Sequence, residues 1–106
     1  MIQVKVKLHE GRIQELDVKG HAGYAESGED LVCAGVSCIM YGTYNALAEL
    51  VNQNDFVGLV EDQGHFNISI RQESEVAEII LKTAVIQLET IQESYSDYIR
   101  IKKVEV

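Results

Sequence analysis

The sequence predicts an α+β fold of order ββαββαβ, a mostly antiparallel sheet covered by two helices in a small single domain. Two pairs of short alternating segments, each joined by a glycine-containing turn, read as hairpins. Each pair is followed by a longer segment whose apolar residues recur at three- and four-residue intervals, the spacing of an amphipathic helix. A last alternating stretch, Asp97 to Val106, reads as a closing strand. The 106 residues fit one domain, residues 1–106, with room for one core.

The elements follow in order. Ile2, Val4, Val6 and Leu8 alternate with Gln3, Lys5 and Lys7, a strand with one face buried. His9-Glu10-Gly11 is a turn, and Arg12 to Lys19 returns as the second strand. Ile13 breaks parity with Leu16 and Val18, which predicts a bulge or a late start to pairing. Gly20 to Glu29 is a glycine-rich loop. A helix is predicted from Asp30 to about Gln53, with Val36, Met40, Tyr44, Leu47 and Val51 as its buried stripe and Asp30 as its N-cap. Gly35 and Gly42 each cost about 1 kcal/mol of helix propensity relative to Ala, so the thin first half serves close packing or substrate approach. Phe56 to Glu61 and His65 to Arg71 form the second hairpin. Ser74 caps a second helix from about Glu75 to Tyr95, whose apolar set (Val76, Ile79, Ile80, Leu81, Val85, Ile86, Leu88, Ile91) is wider than one sheet-facing stripe. The excess points to packing on the first helix and to a homodimer interface.

Composition excludes several classes. Apolar residues at 46% and charged residues at 25% describe a globular chain rather than a disordered one. A net charge of −8 argues against direct nucleic-acid binding, which needs clustered cations. No apolar run approaches a membrane span, and the alternating start is no signal peptide, so the expected location is cytoplasmic with no membrane partner. Cys33 and Cys38 are five apart, which turns them away from each other on a helix, so no disulfide is expected between them. The scattered His9, His21 and His65 suggest no metal site, and no cofactor motif is present.

Chemistry concentrates between Gly20 and Ser37. Cys33 is placed in the first turn of the first helix, where the dipole favours thiolate, and His21 lies near enough in the chain to fold back on it. Helix-start amides would hold an oxyanion. Glu26, Glu29 and Asp30 oppose ionisation unless they face solvent, cap the helix or orient His21. The blander reading makes Cys33 a small packed residue. Cys38 takes that packed reading, and His9 and His65 read as solvated or structural. A thiol-dependent redox or acyl-transfer protein is weakened by the absence of a well-placed resolving cysteine. A non-catalytic binding module is the alternative outside the enzymes.

The run Gly20-His21-Ala22-Gly23, then Asp30-Leu31-Val32-Cys33-Ala34-Gly35-Val36-Ser37, resembles the ribosomal-processing cysteine protease family. The likeness extends to Gly64–Ile68, to the end of the second helix near Gln92–Tyr95 and to the last strand, and so covers essentially the whole chain. It implies a small homodimeric α/β protein that removes the N-terminal extension of a large-subunit ribosomal protein, the one numbered twenty-seven. It further implies that Cys33 is the nucleophile, that His21 is the general base and acid, and that Gly20, Asp30 and Ser37 support the site. Gly23-Tyr24-Ala25-Glu26 falls where members vary, so it leaves substrate preference open.

Overall fold

Alternation in the first and last segments and helical periodicity between them produce seven elements. They are β1 (Ile2–His9), β2 (Arg12–Lys19), α1 (Ser27–Leu50), β3 (Phe56–Glu61), β4 (His65–Ile70), α2 (Glu75–Ser94) and β5 (Ile99–Glu105). This computed structural model describes residues 1–20, 27–61 and 64–106. The five strands form one sheet in the order β3-β4-β2-β1-β5. All neighbours are antiparallel except β1 and β5, which pair in parallel.

The pleat sends Val4, Val6, Leu16, Val18, Phe66, Ile68 and Ile99 to one face, where they are buried with Val32, Val36, Met40 and Leu47 of α1 and Leu81, Ala84 and Leu88 of α2. Both helices therefore cover the same face. The opposite face carries Lys5, Lys7, Glu15, Asp17, Asn67, Ser69 and Lys102 in register across the strands. The helices press together where Gly35 of α1 meets Ile91 of α2, a Cβ at position 35 lying 3.3 Å from Ile91 Cδ1. Gly35 thus serves close packing, whereas nothing lies within 4 Å of a Cβ built at Gly42.

The broken parity at Ile13 is a bulge. Lys7 pairs with Glu15 but Leu8 pairs with Ile13, leaving Gln14 without a counterpart on β1. The Ile13 amide donates instead to Oε1 of Glu78, a buried carboxylate on α2, at 3.0 Å. The other oxygen of Glu78 has Lys82 Nζ at 3.5 Å. Glu78→Ala would strand the Ile13 amide, so the expected loss is about 1–3 kcal/mol in a urea titration. Glu78→Gln keeps an acceptor and should lose less.

Several boundaries move for local reasons. α1 stops at Leu50 rather than Gln53, because the Asn52 side chain accepts the Asn54 amide at 2.9 Å and draws the backbone into a turn. β5 starts at Ile99, after a turn closed by the Tyr98 amide on the Tyr95 carbonyl. Ser74 caps α2 as expected, its Oγ accepting the Ala77 amide at 3.2 Å. The first helix also corrects the membrane argument: Leu31–Leu50 is long and apolar enough to cross a membrane by length and composition. Its stripe of Val32, Val36, Met40 and Leu47 is instead spent on the core, a property that core helices share with membrane spans.

Candidate active site

The helix that carries Cys33 begins three residues before the expected cap. Asp30 is therefore inside the first turn of α1 rather than its N-cap, a position whose closeness to the positive helix end suits an acidic residue. Cys33 becomes the seventh residue of the helix, in its second turn. The dipole effect fades beyond the first turn, so Cys33 stands further from the helix end than the sequence placed it. Amides left free by the helix belong to its first four residues, 27–30, roughly one turn upstream of Cys33.

Helical spacing sorts the flanks of α1. Gly35, Ile39, Gly42 and Ala46 share the flank toward α2, while Cys33, Ser37, Tyr41 and Tyr44 share the opposite one. That second flank lies over β4 and β3. The Tyr41 ring meets Phe66 edge-on at 5.0 Å, and the Tyr44 ring meets Phe56 at 6.5 Å while lying against Gly58. Cys33 is a free, half-buried thiol packed against the core, and Ser37 is half-buried one turn on. Cys38, expected to be packed inside beside Ile39, is exposed instead, because it lies away from the stripe of Val36, Met40 and Leu47 that α1 buries.

Gly20 ends β2 with φ +91, a conformation that L side chains rarely adopt, and a Cβ there would lie 2.5 Å from the Met1 carbonyl oxygen. Its own carbonyl lies 3.9 Å from a Cβ built at Gly64. The start of β1, the end of β2 and the turn before β4 thus meet at the end of the sheet from which the chain leads into α1. His21 lies outside the described residues, as do the side chains of 27–30 and hence that of Asp30. Among the described residues, no three His, Cys, Asp or Glu side chains converge as metal ligands.

A polar constellation that sequence reasoning missed sits on the open sheet face at this end. His65 Nε2 and Asp17 Oδ1 are 2.8 Å apart, and Asn67 Nδ2 donates to the same oxygen at 2.8 Å. His65 Nδ1 lies 3.4 Å from Glu61 Oε2. The Asp17 hydrogen bond, opposed by burial and helped by both carboxylate charges, raises the His65 pKa above 6.5. Burial pushes Asp17 up, but the hydrogen bonds from Asn67 and His65 outweigh it and hold the carboxyl below 3.8. The only signal in the sequence was polar residues at alternate strand positions; what joins them is the non-local register of β2 with β4.

Linkage fixes the sign of a pH effect. A raised His65 contributes stability that is fully present below 6.5 and lost as pH rises through its folded value. A lowered Asp17 contributes stability present above 3.8 and lost as pH falls through its folded value. The pair therefore contributes fully between these limits. Melting temperature should fall modestly as pH rises from about 6 to about 8 and His65 deprotonates, and His65→Gln should flatten that slope.

The family model described as cysteine protease Prp matches residues 1–100. The chain belongs to the Prp cysteine protease family. The ribosomal processing cysteine protease Prp of Staphylococcus aureus is 35% identical over 103 residues, spanning 95% of this chain and 97% of that protein. The S. aureus Prp structure with a covalently linked product peptide superposes with TM-score 0.87 at 33% identity, covering 97% of this chain and 99% of that one. The structure of the same protease with a substrate peptide gives TM-score 0.83 at 32% identity, with the same coverage. Membership of the Prp family makes this protein a cysteine protease, and the ββαββαβ fold is the family's own.

Proposed function

We propose that the protein is a cytoplasmic cysteine endopeptidase of ribosome biogenesis, cutting the N-terminal extension from the large-subunit ribosomal protein numbered twenty-seven with a Cys33–His21 dyad. The observation that carries this reading is the state of Cys33: a reduced, half-buried thiol on the flank of α1 turned away from α2. It stands in a chain whose S. aureus relative is named a ribosomal processing protease and was solved with a covalently linked product peptide. Cys38 is exposed and lies on another side of the helix, so it is the weaker candidate.

In the proposed reaction, the Cys33 thiolate attacks the scissile carbonyl carbon and forms a C–S bond. Free amides at the start of α1 stabilise the oxyanion. The C–N bond breaks as His21 gives its proton to the leaving amine. His21 then takes a proton from water, whose oxygen attacks the thioester, and the carboxylate product leaves with the thiol restored. Gly20 lets the chain turn beside His21, and Asp30 and Ser37 support the site from positions one turn either side of Cys33. The excess of 17 acids over 9 basic side chains suits a basic ribosomal protein as substrate.

Incubation with a synthetic extension peptide tests the reading: two fragments cut at one bond are expected by mass spectrometry. An intact peptide would refute it and favour a binding module. The proposed homodimer rests on the outer stripe of α2, where Ile79 and Ile86 are 65% and 61% exposed. Light scattering at micromolar concentration should return twice the 11.8 kDa chain mass; Ile79→Glu with Ile86→Glu should halve it.

A further inference from the structure

The two edges of the sheet are built differently. β5 reads I-R-I-K-K-V-E and is guarded by charge, the usual defence of an unpaired edge. β3 reads F-V-G-L-V-E, with no charge before Glu61 and no proline, and its Leu59 and Val60 are 53% and 42% exposed. β4 is its single partner in the sheet, so its outer backbone groups face away from the fold. An apolar, unguarded edge is a template for another extended chain.

This edge also runs toward Cys33. Tyr44 lies over Phe56 and Gly58, and Tyr41 lies over Phe66, the cross-strand partner of Val60. As β3 advances from Phe56 to Val60, α1 is thus read backward from Tyr44 to Tyr41. Cys33 is eight residues before Tyr41, roughly 12 Å further along the helix axis. A strand covers that distance in about three to four residues. Tyr41, half exposed, sits on the same flank as Cys33 and Ser37 and faces this lane.

We propose that the substrate peptide binds as an added strand along the outer edge of β3, with apolar side chains at alternate positions meeting Val60 and Tyr41. The inference rests on the proposed cleavage at Cys33 and supplies the mode of substrate recognition for it. Backbone pairing would hold the peptide in register and deliver the bond three or four residues beyond Val60 to the thiol. The fit is to an extended apolar segment, because the exposed side chains of β3 before Glu61, Leu59 and Val60, are apolar and Tyr41 beside them is aromatic.

The test is an N-methyl scan of the extension peptide against the wild-type protein. Methylating one amide at a time at positions three or more residues from the scissile bond should lower kcat/KM at every second position, by about threefold to tenfold each. Val60→Lys should raise KM about tenfold with kcat and melting temperature unchanged, while Val106→Lys, far from this edge, should change neither constant. Uniform tolerance of methylation with the parent peptide cleaved would overturn the added strand alone. So would a Val60→Lys protein that turns monomeric with KM unaltered, since the edge would then hold a second copy. An uncleaved parent peptide would overturn the proposed function and this inference with it.

Discussion

Cys33→Ala is expected to lower kcat/KM for the extension peptide by about a thousandfold or more, because removing a nucleophile leaves only binding and oxyanion stabilisation. The fold should survive, since the thiol is half-buried and the change removes one small group. Any Cys33→Ala protein that cleaves as fast as wild type would refute the nucleophile. The second-turn position of Cys33 sharpens the role of its partner. With the helix end one turn away, a nearby imidazolium becomes the main source of thiolate stabilisation in the proposed dyad. His21→Ala should therefore slow both cleavage and alkylation of Cys33 near neutral pH. Wild-type Cys33 should alkylate faster than Cys38 even though Cys38 is the more exposed. Exposure works against that order, so observing it isolates activation of the thiol from mere access. Equal rates would argue for a packed, inactive Cys33.

Elements with strong local periodicity were legible in the residues. The alternation in β1, the Ser74 cap and the paired hairpins all reappear, and Ile13 broke parity because a bulge does lie beside it. Non-local facts were not legible. No local signal tells that Glu78 receives the Ile13 amide, or that β1 lies between β2 and β5 with opposite pairing senses. Cys38 failed for a simpler reason: a position beside Ile39 on a helix can face either side, and only the stripe set by Val36, Met40 and Leu47 decides which. The start of α1 was misplaced because Asp30 is a good cap type, whereas the helical backbone already begins at Ser27. Of the site, the placement near the helix start picked out Cys33 and the family resemblance added Ser37, and the fold puts both on the flank over β4 and β3. The edge of β3 beside them had no motif at all; its meaning comes from the strand order, which leaves it outermost.

Gly20→Ala has the second largest expected effect, and it couples stability to the proposed chemistry. At φ +91 an added Cβ costs about 1–2 kcal/mol in backbone strain. The same atom would lie 2.5 Å from the Met1 carbonyl oxygen, which belongs to backbone rather than to a flexible side chain, so the end of β2 must move. A total loss of about 2 kcal/mol or more is expected, or roughly 8 °C or more in melting temperature. Gly11 supplies the comparison, since it has φ +78 in the β1–β2 turn but nothing within 4 Å of its Cβ position. Gly11→Ala should therefore show the strain cost without displacement. His21 follows Gly20 directly, so moving the end of β2 would move the proposed base. Peptide cleavage by Gly20→Ala at a temperature where the protein remains folded should fall at least about tenfold, while Gly11→Ala retains wild-type turnover. Equal activities in the two variants would show that the strained turn at Gly20 serves the fold alone and has no part in setting the dyad.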